Sequence, residues 1–185
     1  MSDIDNIYPL TPAQGGMLFH SLYEANSSVY VDQFRWRIDQ ALDVDAFRAA
    51  WRALIQRHEV LRAGFFWEGQ SEALQVIHRN VELPLIVEDL RGQAEQAEVR
   101  IEGHLSEGLE RGFDLESAPM IRLALFCLGA DRYDFVWEFH HILLDGWSVA
   151  ILLDELQALY QQFAAGKQVE VKTPTSYREY IGWFR

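Results

Sequence analysis

Two adjacent histidines, His140 and His141, close a strongly apolar run at 133–139, and Asp145 and Gly146 follow shortly after them. Among side chains, imidazole is best suited to taking or giving a proton near neutral pH. Placed where a strand ends, it can be held in one orientation. If strand alternation continues through the pair, His140 and His141 point to opposite faces, so one alone can serve a given cleft. Asp145 can fix the backbone of the turn, and Gly146 suits a sharp turn into the next helix. Trp147 and Ser148 read as packing residue and helix cap. A strand-end histidine can equally be a hydrogen-bonded structural residue, so the chemistry depends on what positions it.

The positioning elements are legible from periodicity. Strands at 121–128 and 133–139 flank Gly129-Ala130-Asp131 and read as a central hairpin. After the histidines, Val149, Leu152, Leu153, Leu156, Leu159, Tyr160 and Phe163 form one apolar helical stripe from Ser148 onward, which must pack on the sheet and anchor the His141 turn. Upstream, Thr11 and Gln14 form a capping box with Pro12 at the first helical position, opening a helix to about Tyr23. Gly15 and Gly16 weaken its first turn. A strand is expected at 29–38, and Asp43 can cap a helix carrying Phe47, Ala50, Trp51, Leu54 and Ile55. A hairpin is expected at 61–67 and 73–78, a short strand at 85–87 and a polar helix at 93–111. Ser176 and Glu179 form a second capping box opening a last helix. The mixture predicts an α/β two-layer sandwich, a mixed β-sheet with helices on one face.

Composition narrows the function classes. A chain of 185 residues fits one domain able to bury a substantial core. With 49% hydrophobic residues, 13% aromatics and six Trp it is globular rather than disordered. A net charge of -12, with no basic run, argues against nucleic acid or an anionic membrane as partner. The single Cys127 lies in an apolar strand and reads as a buried, inert thiol. No zinc spacing is present, and a metal site on His140, His141 and Asp145 is disfavoured because adjacent strand histidines diverge. No signal-peptide pattern or membrane-length apolar run is found, so a cytoplasmic protein is expected.

The HHxxxDG spacing at 140–146 is one of five segments that fall into a shared order. The others are YPLTPAQGGMLFH at 8–20, RHEVLRAGF at 57–65, GFDLESAPMIR at 112–122 and YREYI at 177–181. Together they resemble the motifs of the condensation domains of nonribosomal peptide synthetases, and more distantly those of chloramphenicol acetyltransferase-like acyltransferases. The resemblance runs from residue 8 to residue 181. One departure is Gly15, where the family more often has an acidic residue.

The resemblance implies a chloramphenicol acetyltransferase-like lobe: residues 1–185 would be the N-terminal lobe of a condensation domain, with the C-terminal lobe absent. It implies amide formation between a donor acyl or peptidyl thioester and an acceptor aminoacyl thioester. The expected partners are carrier protein domains and the missing lobe. No cofactor would be bound directly; the carrier's phosphopantetheine arm would present the substrates. His141 would meet the acceptor amine, as general base or by positioning it. Asp145 would pair with a buried Arg62, and Gly146 would let the pantetheine arm pass close to the backbone. His20, His58, His78 and His104 carry no such implication. The rivals are a stand-alone acyltransferase using coenzyme A, an epimerisation or cyclisation domain, and a non-catalytic scaffold or docking lobe.

Overall fold

The computed structural model describes residues 3–23, 28–169 and Glu179; apart from Glu179, the motif at 177–181 and the helix expected from Ser176 lie outside the described residues. The elements run β1 (Ile4–Pro9), α1 (Pro12–Tyr23), β2 (Val31–Ile38), α2 (Val44–Arg57), a 3-10 turn (Glu59–Arg62), β3 (Ala63–Phe66), β4 (Leu74–His78), β5 (Leu85–Asp89), α3 (Ala94–Arg111), β6 (Ile121–Cys127), β7 (Tyr133–His140) and α4 (Gly146–Ala164). Strand β1, with half its residues exposed and only Tyr8 buried, gives too weak an alternation to be read from sequence.

Two sheets form: an antiparallel β1-β4-β3 ribbon, and a four-stranded sheet in the order β2-β7-β6-β5. The second is mixed, since β5 and β6 run parallel while the other pairs are antiparallel. Strand β7 lies inside it and every one of its residues is buried. Its odd-numbered residues Tyr133, Phe135, Trp137 and Phe139 join the main core with Leu123 and Leu125 of β6. The apolar stripes of α2 and α4 close that face. Trp51 meets Trp137 edge-on at 5.2 Å and Phe47 meets Phe135 at 5.1 Å, the edge-to-face geometry that aromatic quadrupoles favour.

The α/β architecture and the mixed sheet are as the sequence predicts, with α2 and α4 together on one face. One detail differs: α3 covers the opposite face, where its Ala97 and Ile101 pack on Ala124, Phe126 and Val136. The cause is topological. Parallel neighbours β5 and β6 need a crossover, and α3 is that crossover, forming a βαβ unit.

Polar residues of β7 on this face are buried with partners. Asp134 binds Arg35 and Arg37 of β2. Glu138 accepts from Gln33 at 2.5 Å and from Arg122 at 3.1 Å. Arg122 also donates to the carbonyls of Gly108 (2.9 Å) and Gly112 (2.8 Å), satisfying the C-terminal end of α3. Among the described residues no helix is long and apolar enough to cross a membrane.

Candidate functional site

The turn after β7 is tied down from three sides. The His141 N–H donates to Tyr30 O at 2.7 Å, and Leu143 N–H donates back to His140 O at 3.0 Å. Ile142, Leu143 and Leu144 bury their side chains in the core. From α1, the buried Gln14 side chain donates to Ile142 O at 3.4 Å while its oxygen accepts from the Thr11 N–H at 3.0 Å. The capping box read in the sequence therefore also braces the histidine turn. That second role has no local signal, since Gln14 and Ile142 lie far apart in the chain.

The two histidines diverge, and their Nδ1 atoms face opposite kinds of partner, an N–H for His140 and a carboxylate for His141. His140 is 5% exposed. Its Nδ1 accepts from the Ile142 N–H at 3.2 Å, so the proton sits on Nε2, 3.4 Å from Ser21 Oγ. Burial first, and the neighbouring His141 second, push its pKa down to about 4. His141 turns the other way. Its side chain is 39% exposed, and its Nδ1 lies 2.6 Å from Asp32 Oδ2 on β2. Donation of an Nδ1 proton to the carboxylate would leave the Nε2 lone pair as the available base. Asp32 was not marked by the sequence, being one polar residue in an alternating strand.

His140 gives the fold a pH dependence whose sign is fixed. In the unfolded chain it takes up a proton near its ordinary 6.5, but in the folded state only near 4. Between those values the unfolded state binds more protons, so stability falls as pH falls through this window. Chemical denaturation midpoints should decrease from about pH 6.5 to about pH 4, and the decrease should be smaller in His140→Asn.

The expected Arg62–Asp145 pair does not form. Arg62 is buried, but its guanidinium donates to carbonyls of His78, Ile55 (3.2 Å) and Arg79 (3.4 Å), with Asp5 Oδ2 at 3.4 Å. The 3-10 turn aims it at the end of the β1-β4 ribbon. Asp145 is exposed and is itself the cap of α4: its carboxylate accepts the Ser148 N–H and O–H, both at 2.8 Å. Those bonds hold its pKa below the usual carboxylate range. Nor does Gly146 make the turn. Asp145 does so with extended backbone angles, and a Cβ on Gly146 would meet nothing within 4 Å. Trp147, expected to pack, is 84% exposed.

The rest of the second motif fastens elements together. Arg57 and His58 both reach Glu155 of α4, at 2.9 and 2.7 Å. Glu59 accepts from Asn6 and Tyr8 of the β1 strand at 2.8 and 2.9 Å. Asp145→Ala should therefore cost about 1 kcal/mol, the loss of an N-cap. Arg62→Ala should cost about 2–4 kcal/mol by orphaning buried carbonyls. A double-mutant cycle by denaturant unfolding should find the two additive within roughly 0.5 kcal/mol.

A strand-end imidazole oriented by a carboxylate, with its second nitrogen open, is a general-base arrangement. Among the described residues, no group of three or more His, Cys, Asp or Glu is placed to hold a metal ion. A linear gramicidin synthase of Brevibacillus parabrevis is 42% identical over 183 residues, covering 98% of this chain and 4% of that protein. Bacitracin synthase 1 of Bacillus licheniformis is 37% identical over 181 residues, covering 97% and 3%. Among solved structures, the starter condensation domain of rhizomide synthetase superposes with a TM-score of 0.85 at 19% identity, over 97% of this chain and 45% of that one. The first condensation domain of the calcium-dependent antibiotic synthetase, in complex with a substrate analogue, gives 0.85 at 21%, over 97% and 43%. The family model that describes the condensation domain matches residues 4–185, and the chain belongs to that family.

Proposed function

We propose that residues 1–185 form the N-terminal lobe of a two-lobed condensation domain in a nonribosomal peptide synthetase, working in the cytoplasm on substrates carried by phosphopantetheine arms. In that reaction the nitrogen of an acceptor aminoacyl thioester attacks the carbonyl carbon of a donor thioester. A C–N bond forms, the donor C–S bond breaks, the amine loses a proton, and the departing thiolate gains one. His141 meets the amine. The observation that carries this reading is the His141–Asp32 contact on a histidine that stays open beside an otherwise packed turn. Coverage of less than half of the solved condensation domains supports a second lobe as partner.

The test uses an intact two-lobed domain containing this chain, with donor and acceptor carriers loaded with their thioesters. Amide product on the acceptor carrier is expected, and none from the 185-residue chain alone. Acyl transfer from coenzyme A by the isolated chain, or no amide from the intact domain, would sink the proposal.

A further inference from the structure

Asp32 lies outside all five motif segments, yet it makes the closest polar contact of His141. The attachment is double. The main-chain N–H of His141 donates to Tyr30 O at 2.7 Å, and its ring Nδ1 lies 2.6 Å from Asp32 Oδ2. One anchor, Tyr30, lies in the turn just before β2, and the other, Asp32, lies within β2, whose register against β7 pairs Val31 with His140 and Asp32 with Phe139. The carboxylate is therefore placed by a full-length strand pairing rather than by a loose loop. A ring protonated on Nε2 would set the Nδ1 lone pair against a carboxylate oxygen at hydrogen-bond distance, two acceptors facing each other. The neighbouring His140 shows that this choice is local, since it is held in the opposite tautomer by the Ile142 N–H.

We propose that Asp32 is a positioning residue for the amide-forming reaction, holding His141 in the tautomer that presents an unprotonated Nε2 to the acceptor amine. The inference rests on the amide-forming reading of the site. As Nε2 takes up proton density in the transition state, the ring becomes cationic beside a carboxylate that already accepts its other proton. Asp32 does not touch the substrates. Its contribution is to the orientation and charge of a group that does.

The test is Asp32→Asn in the intact domain, a change of charge with little change of shape. Its kcat for amide formation should fall about a hundredfold, the scale of a misplaced catalytic group, with KM for the loaded acceptor carrier unchanged. Nitrogen NMR of the histidine-labelled domain should show His141 protonated on Nδ1 in the parent and a mixture of tautomers in Asp32→Asn. Asp32→Glu should restore part of the rate. A parent-like rate in Asp32→Asn, or a parent His141 protonated on Nε2, would overturn the proposal. If the parent domain forms no amide at all, the amide-forming reading fails instead. The ring spectra then decide on Asp32 alone, an unchanged tautomer in Asp32→Asn counting against it.

Discussion

Replacing His141 by alanine in the intact domain should lower amide formation by about two to four orders of magnitude, the usual contribution of a positioned acid–base group. The fold should survive. The His141 side chain is 39% exposed, and the bond from its main-chain N–H to Tyr30 O does not depend on the side chain. The turn stays pinned by the buried Ile142, Leu143 and Leu144. Single-turnover product formation from loaded carriers measures the loss, and thermal unfolding checks the fold. His140→Ala is the control, because it leaves the Ile142 N–H without its acceptor and opens a buried space, so it should act on stability first. An equal rate loss in a well-folded His140→Ala would show that the two histidines have been given the wrong roles.

Gly108→Ala should unfold or severely weaken the domain, against what helix propensity alone expects. In an exposed helix the change would gain about 1 kcal/mol. Here Gly108 of α3 faces the carboxylate of Glu138, and an added Cβ would lie 2.8 Å from its Cδ. Glu138 is fully buried and cannot swing away freely, because Gln33 and Arg122 hold its two oxygens. Pushing it aside strands a buried Arg or carboxylate, a loss of ~3–5 kcal/mol when one partner of a buried pair is removed. The net expectation is a loss of about 2–4 kcal/mol. Denaturant unfolding of Gly108→Ala beside Gly103→Ala separates the two effects, since a Cβ at Gly103 meets nothing within 4 Å. Equal stability changes at both positions would refute the role given to Glu138.

How much of this was legible depends on the distance over which each signal acts. The capping box at Thr11 and Gln14, the Asp43 cap, the β6-β7 hairpin and the α4 stripe are encoded within a few residues and emerge where the sequence places them. The family motifs located the histidine turn. What the sequence left hidden were pairings made across the fold. Asp32 approaches His141 only because β2 and β7 are neighbours, and Arg62 turns to backbone carbonyls that carry no side-chain signature. Its expected partner Asp145 instead has a nearer claim on it, the first N–H groups of its own helix. The second layer of helix came from a parallel strand pair that a five-residue strand was too short to announce.

Trp147 has an optical consequence. Its indole stands in solvent on the first turn of α4, the helix that follows the histidine turn, whereas Trp51 and Trp137 are sealed in the core. Indole emission responds to the polarity around the ring and to collision with dissolved quenchers. The core tryptophans will be indifferent to whatever arrives at the histidine turn, but Trp147 will register it. The chain thus carries its own reporter: a second lobe or a carrier settling over the turn should shield the Trp147 emission from an added quencher without any label being attached.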